Sequence, residues 1–96
     1  MNEDQLFELL EAVNDLPSFM AFVGALAADR EAAEKLERAE PVRYQLGGAL
    51  GWQNGAISNY LGASLAYFED SKWSEGKKQP GWRDLAQFLY MGKIYE

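Results

Sequence analysis

The 96-residue chain is predicted to form one all-α domain, a single small fold of about four helices packed on one core. Apolar residues recur at the i, i+3, i+4, i+7 spacing of a helix in several separate segments. Capping residues, prolines or glycines bound these segments. Hydrophobic residues make up 48% of the chain and aromatic residues 14%, as in a globular protein with one modest core.

The first helix is predicted over residues Glu3–Asn14. Asn2 supplies its N-cap, and Gln5 completes a variant of the capping box. Its apolar stripe consists of Leu6, Leu9, Leu10 and Val13. Pro17 follows the helix and separates it from the next one.

The second helix is predicted to run from Phe19 to Arg38, with Ser18 as its N-cap. Large apolar side chains form one stripe: Phe19, Phe22, Val23 and Leu26. Small residues form the opposite stripe: Ala21, Gly24, Ala25, Ala28 and Ala32. A helix that is apolar on both faces is typical of a central position in a core. A homodimer contact through the small stripe is the alternative.

Residues 39–55 are predicted to form an ordered irregular segment or a short helix. Val42, Tyr44 and Leu46 alternate with polar residues, so a short β segment around residues 42–46 is the alternative. The glycine-rich stretch that follows resembles a phosphate-binding loop only superficially, because no G-K-[ST] sequence comes after it. We therefore expect a turn here and no nucleotide site.

The third helix is predicted from Gly55 to Asp70, with Asn54 as its N-cap. Its apolar stripe consists of Ile57, Tyr60, Leu61, Ser64, Leu65 and Phe68. The fourth helix is predicted over Trp82–Met91, with Gly92 as a left-handed C-cap. Its buried stripe consists of Trp82, Leu85, Ala86 and Leu89.

These stripes predict which side chains fill the core: Leu10, Phe22, Leu26, Leu61, Leu65 and Trp82. Truncating one of them, as in Leu65→Ala, is expected to lower the stability by about 2–5 kcal/mol. Trp73 lies among lysines in the polar loop between the third and fourth helices. We expect it to fold back on the core rather than to stack on single-stranded nucleic acid, because basic residues are few.

The absence of cysteine and histidine removes thiolate and imidazole chemistry from the chain. The predicted inner stripes of the helices carry no acid that burial could activate. We therefore predict that the protein is not an enzyme, with no catalytic residue, no metal site and no cofactor. An enzyme that uses carboxylates alone is the alternative. The cysteine-free sequence, with an acidic start and no signal peptide or membrane span, favours a cytoplasmic protein.

The negative charge is concentrated in the first half of the chain. The formal net charge is −6, and residues 1–50 carry ten acids against four bases. The remaining residues carry five of each, so they are neutral overall. Nucleic acid is therefore disfavoured as a partner, whereas a basic protein would be attracted.

An acidic stripe on the first helix is the predicted partner-binding site. Asp4, Glu8, Glu11 and Asp15 lie at i, i+4, i+7 and i+11, and Phe7 lies at the edge of this stripe as an apolar anchor. The sequence thus favours a small protein–protein interaction module, for instance an immunity-like inhibitor of a basic partner. A structural homodimer or an accessory domain is the alternative, and an ordinary solvated face is the simplest interpretation of the acids themselves.

Three parts of the chain carry motifs that resemble those of one family: Ser18-Phe19-x-x-Phe22-Val23, Trp52-Gln-Asn54-Gly-Ala-Ile57-Ser-Asn-Tyr60-Leu61, and Pro80-Gly-Trp82 through Lys93-Ile94-Tyr95-Glu96. Together they resemble a family of small bacterial proteins of unknown function that share a W-x-N helix motif and a K-I-Y-E ending. The stretch of residues 31–51 lies outside the resemblance. The resemblance implies a bacterial intracellular protein and brings no activity with it.

Overall fold

The computed structural model of the protein describes residues 3–71 and 79–95, and its regular structure is all helical. In chain order the helices are α1 (Glu3–Glu11), α2 (Leu16–Ala39), α3 (Ile57–Asp70) and α4 (Trp82–Ile94), with one 3-10 turn at Ala49–Gly51. The predicted all-α fold class is confirmed. The predicted N-cap Asn2 and the predicted packing of Trp73 lie outside the described residues.

One core lies between α1, α2 and α4, while α3 packs on α4. The buried apolar side chains of this core are Leu6, Leu10, Val13, Phe22, Leu26, Ala33, Ala49, Trp52, Ala86 and Tyr90. The predicted burial of Leu10, Phe22 and Leu26 is therefore confirmed. Among the described elements α4 is the main neighbour of α3, and it covers one side of that helix.

The β alternative for residues 42–46 is wrong, since these residues form turns and bends and the described chain contains no strand. The backbone N–H of Tyr44 donates to the Glu40 carbonyl and that of Gln45 to the Val42 carbonyl. Val42 and Leu46 are almost fully exposed. Alternating apolar residues form a strand only where another strand supplies hydrogen bonds, and the described part of the chain supplies none.

The second helix begins earlier than the sequence predicted, because Asp15 rather than Ser18 is its N-cap. The Asp15 carboxylate accepts from the Ser18 backbone N–H at 2.9 Å, and the Ser18 hydroxyl in turn accepts from the Asp15 N–H at 3.1 Å. Pro17 fits the first turn, where no intrahelical partner for its nitrogen is needed. The proline therefore opens α2 instead of preceding it.

The α2 helix buries a single face, so its interpretation as a central helix covered on both sides is wrong. Phe22, Leu26, Asp29 and Ala33 face the core. Of the small residues, Ala21, Gly24, Ala28 and Ala32 are exposed and Ala25 is half-buried. A side chain added at Gly24 would meet no atom within 4 Å.

The α3 helix turns only part of its predicted apolar stripe inward, namely Tyr60, Ser64 and Phe68. Ser64 is fully buried and Tyr60 half-buried, whereas Ile57, Leu61 and Leu65 are 77%, 46% and 55% exposed. The predicted burial of Leu61 and Leu65 is wrong because α4 covers a strip narrower than the stripe. Trp82, at the start of α4, is also more exposed than predicted, at 39%.

Two predicted caps serve the contact between α3 and α4 instead. The side-chain amide of Asn54 donates to the carbonyls of Gly92 and Tyr95, at 3.1 and 2.8 Å, while α3 begins after Ala56 without a side-chain cap. Gly92 lies within α4, which continues to Ile94. An added Cβ at Gly92 would lie 2.7 Å from the Tyr60 ring. The glycine is therefore needed for close helix packing and does not end the helix.

Candidate functional site

The acidic residues of the first helix lie on the surface of the molecule. Asp4, Phe7, Glu8 and Glu11, which we call the acidic surface, are all exposed on α1. Among the described residues, Asp4 and Glu8 have no ion-pair partner, whereas Glu11 lies 3.6 Å from Arg83. The Arg83 guanidinium also donates to the carbonyl of Glu11. On the exposed side of α1, the charges of Asp4 and Glu8 are therefore not neutralised by any base among the described residues.

Phe7 is a half-exposed ring at the border between the acids and the core. It is 46% exposed, and its ring packs edge-on against Tyr90 with 6.3 Å between the centroids. One edge is thus held by the protein while the rest faces solvent. A ring placed in this way can be buried further by a partner without losing its existing contact.

Asp15 is not part of this surface, because α1 ends at Glu11 and the helical register does not extend to it. Its carboxylate caps α2 and also accepts from the Ser18 hydroxyl at 2.6 Å. These side-chain and backbone hydrogen bonds from Ser18 lower the pKa of Asp15. Asp15 therefore has a structural role that accounts for its position.

Glu3 differs from its acidic neighbours because its carboxylate turns inward. One oxygen lies 2.6 Å from the Lys93 ammonium, and the other accepts from the Tyr90 hydroxyl at 2.6 Å. These bonds tie the first turn of α1 to the last turns of α4. The negative charge of Glu3 is thereby paired with the positive charge of Lys93.

Lys93 is the centre of a buried network that the sequence did not predict. Its side chain is fully buried, and its ammonium lies 2.9 Å from the carboxylate of Asp29 on α2. The same carboxylate oxygen accepts from the Trp52 indole N–H at 2.9 Å, and the Lys93 ammonium lies 5.5 Å from the Trp52 ring centroid. We call Glu3, Asp29, Trp52, Tyr90 and Lys93 the buried network.

A second ion pair continues the buried network toward the loop before α3. The Arg30 guanidinium binds both carboxylate oxygens of Glu37 at 3.1 Å and lies 5.2 Å from the Trp52 ring centroid. Glu37 also accepts from the backbone N–H of Ala49 at 3.0 Å. The loop that carries Trp52 is thus fastened to α2 through both side-chain and backbone groups.

The buried carboxylate of Asp29 corrects the expectation that the inner helical stripes carry no acid. Asp29 lies three residues after Leu26 and four before Ala33, on the same face of α2. This spacing was the signal for its burial in the sequence. Its partner Lys93 lies 64 residues away in the chain, so no local pattern could pair the two.

Each charged group of the buried network is already engaged by another protein group. Lys93 has two carboxylates, and Asp29 has the ammonium and the indole N–H. This arrangement is suited to holding α1, α2, α4 and the Trp52 loop together. Trp52, Asn54 and Lys93, which belong to the resemblance described above, meet in this region, and the contacts they make are structural ones.

A shallow apolar groove lies beside the buried network. Its walls come from α2 and α3 and its floor from α4, and its volume is about 300 Å³. Among the residues that line it are Val23, Ala27, Ile57, Tyr60 and Leu89, with Arg30 and Trp52 at one end. Burial raises the pKa of Tyr60 to about 12, and its hydroxyl donates to the Leu89 carbonyl. Tyr60 therefore lines the groove as a protonated, uncharged phenol.

Comparison with known proteins gives no relative for the chain. No protein-family model matches it, and neither a curated protein nor a solved structure does. Within the described residues, no helix is both long enough and apolar enough to cross a membrane.

Proposed function

We propose that the protein is a non-catalytic interaction module whose acidic surface on α1 binds a basic partner protein. The observation that carries this proposal is the exposure of Asp4 and Glu8, one helical turn apart, with no ion-pair partner among the described residues. Like charges at this spacing repel by about 0.2–0.5 kcal/mol per pair. Asp4 lies in the first turn of α1, where the helix dipole offsets this repulsion, and a basic partner would add a favourable interaction with both acids.

The position of Phe7 supports the same proposal. An aromatic ring that is half-covered by Tyr90 and flanked by acids combines an apolar anchor with a negative rim. Complementary charge mainly speeds association, and an anchor that becomes buried mainly slows dissociation. An immunity-like inhibitor of a basic protein would use both properties, and this is the specific role that we propose.

The test compares proteins captured from bacterial lysate by four immobilised baits. These are the wild-type chain, Glu8→Gln, Phe7→Ala, and the control Glu31→Gln, which removes an exposed acid from α2 instead. We expect a basic protein that is retained by the wild type and the control and is reduced on the other two baits. Recovery of the same proteins on all four baits would contradict the proposal.

The kinetics of the captured protein provide a stricter test. Glu8→Gln should slow association and flatten its dependence on salt, because screening acts on exposed charges. Phe7→Ala should instead speed dissociation. An unchanged association rate and salt slope for Glu8→Gln would mean that the acids of α1 are only a solvated face.

A further inference from the structure

A second surface of the molecule is apolar, exposed and distinct from the acidic surface. It consists of three rows of side chains, which together we call the apolar face: Leu16, Met20, Val23 and Ala27 on α2, Trp82, Leu85 and Leu89 on α4, and Ile57, Leu61 and Leu65 on α3. The groove between α2 and α3 is part of this face, because Val23, Ala27, Leu89 and Ile57 from the three rows line it.

Helical spacing places each row on one side of its helix. Leu16 and Met20 precede Val23 and Ala27 by seven residues, and residues seven apart lie on the same side of a helix. The helices α2 and α4 run side by side in the same direction, because Phe19 contacts Trp82 near their starts and Asp29 contacts Lys93 further along. Their two rows therefore run parallel.

The row on α3 borders the groove. Ile57 lines the groove itself, and Leu61 and Leu65 follow at intervals of four residues along the same side of α3. Phe68 contacts Phe88 while Tyr60 bonds to Leu89, so α3 stays against α4 over its length. An apolar ridge thus stands directly beside an apolar groove.

The exposed area of the apolar face is comparable to the area that one partner buries in a stable protein–protein interface. Seven of its large side chains are between 37% and 77% exposed: Leu16, Met20, Ile57, Leu61, Leu65, Trp82 and Leu85. Together they expose on the order of 700 Å², close to the roughly 800 Å² that each partner contributes to a stable complex. Monomeric proteins rarely leave contiguous apolar patches of more than about 600 Å² uncovered.

The charges of the face are compatible with a second copy of this acidic chain. Among the described residues that line the groove, the charged one is Arg30, and it is already paired with Glu37. The acids of α1 lie elsewhere, since Phe7 contacts Tyr90 while Leu89 lines the groove on another side of α4. Two copies can therefore meet through this face without bringing their acidic surfaces together.

We propose that two copies of the chain form a two-fold symmetric dimer through the apolar face. The ridge consists of Ile57, Leu61 and Leu65. Because ridge and groove lie side by side on one face, the ridge of each copy can enter the groove of the other. A two-fold axis makes both insertions at once, which is the self-complementarity that such a dimer requires. The inference is independent of the proposed binding by the acidic surface.

Sedimentation equilibrium of the purified chain over micromolar to millimolar concentrations tests this dimer. The variant Leu65→Lys places a charge on the ridge, and Leu46→Lys places the same charge at an exposed leucine away from it. A third variant, Ala28→Lys, changes the small-residue stripe of α2. A fourth, Ile57→Lys, repeats the ridge test at a more exposed position, in case Leu65→Lys does not fold.

We expect the wild type to dimerise in the micromolar range. Leu65→Lys and Ile57→Lys should raise the dissociation constant at least about tenfold, while Leu46→Lys and Ala28→Lys leave it within about twofold. The proposal is overturned by a wild-type chain that stays monomeric throughout, as it would if the face served a different protein. It is equally overturned by a dimer that Ala28→Lys dissociates and the ridge variants do not.

Discussion

Replacing Lys93 by methionine is expected to remove a large part of the folding stability. The substitution keeps a long side chain but removes the buried ammonium that lies 2.6 Å from Glu3 and 2.9 Å from Asp29. The side chain of Asp29 is 4% exposed, so its charge would be left in the interior with the Trp52 N–H as its remaining donor. Glu3 is 47% exposed and can be solvated by water.

The magnitude follows from this difference in burial. Breaking a buried ion pair by removing one partner costs about 3–5 kcal/mol, whereas an exposed pair contributes less than about 1 kcal/mol. A domain of this size has a total stability on the order of 5–10 kcal/mol. Lys93→Met should therefore lose about 3–5 kcal/mol, nearly all of it through Asp29, and Glu3→Gln should lose about 1 kcal/mol or less.

Urea unfolding followed by far-UV circular dichroism measures these changes, and it avoids the fluorescence of Trp52 next to the mutation. Lys35→Met is the matched control, because Lys35 is exposed on α2; it should change stability by no more than about 0.5 kcal/mol. The double variant Lys93→Met/Asp29→Asn should regain part of the loss, since no uncompensated charge remains. A loss below about 1 kcal/mol for Lys93→Met would refute the reasoning.

Three further predictions concern packing and titration. Gly92→Ala should destabilise the fold by about 1–3 kcal/mol, measured by urea unfolding, because its methyl group would overlap the Tyr60 ring; an unchanged stability would mean that α3 shifts freely. Leu65→Ala should lose only about 0.5 kcal/mol, since Leu65 is exposed, whereas Phe22→Ala in the core should lose about 3–5 kcal/mol by the same assay. Burial raises the pKa of Tyr60 from 10.0 to about 12, and burial together with Glu3 raises that of Tyr90. The folded state therefore holds these protons more tightly than the unfolded state. The stabilisation that the two tyrosines contribute should be complete below pH 10, and that of Tyr60 should be lost between pH 10 and about 12; a tyrosinate absorbance titration that shows all tyrosines ionising near pH 10 would contradict this.

The sequence by itself determined the fold class and the approximate positions of the helices. Stripes at helical spacing mark a helix wherever it packs, because the 3.6-residue period is a local property of the backbone. The burial of Leu10, Phe22 and Leu26 followed from the same periodicity. Helix boundaries were less well determined: a proline at the start of α2 was interpreted as a break before it, and Asp15 took the capping role expected of Ser18.

The acids of α1 show how much of the candidate site could be predicted from a local sequence pattern. Their spacing predicted that Asp4, Glu8 and Glu11 lie on one helix, and the exposure of all three agrees with the structure. Asp15 could not be assigned in the same way, because the end of α1 at Glu11 breaks the register. Whether the acidic surface binds a partner stays a prediction.

Tertiary structure alone decided which side of each helix is covered and which charges are paired. A stripe of apolar residues predicts which side of a helix is apolar, but it does not predict how many neighbouring helices will cover that side. Leu61 and Leu65 are an example, because they remain exposed although α3 packs on α4. The buried network brings together Glu3, Asp29 and Lys93 from both ends and the middle of the chain. Such a pairing depends on the relative placement of α1, α2 and α4, and that placement is set by the packing of the whole core rather than by any segment.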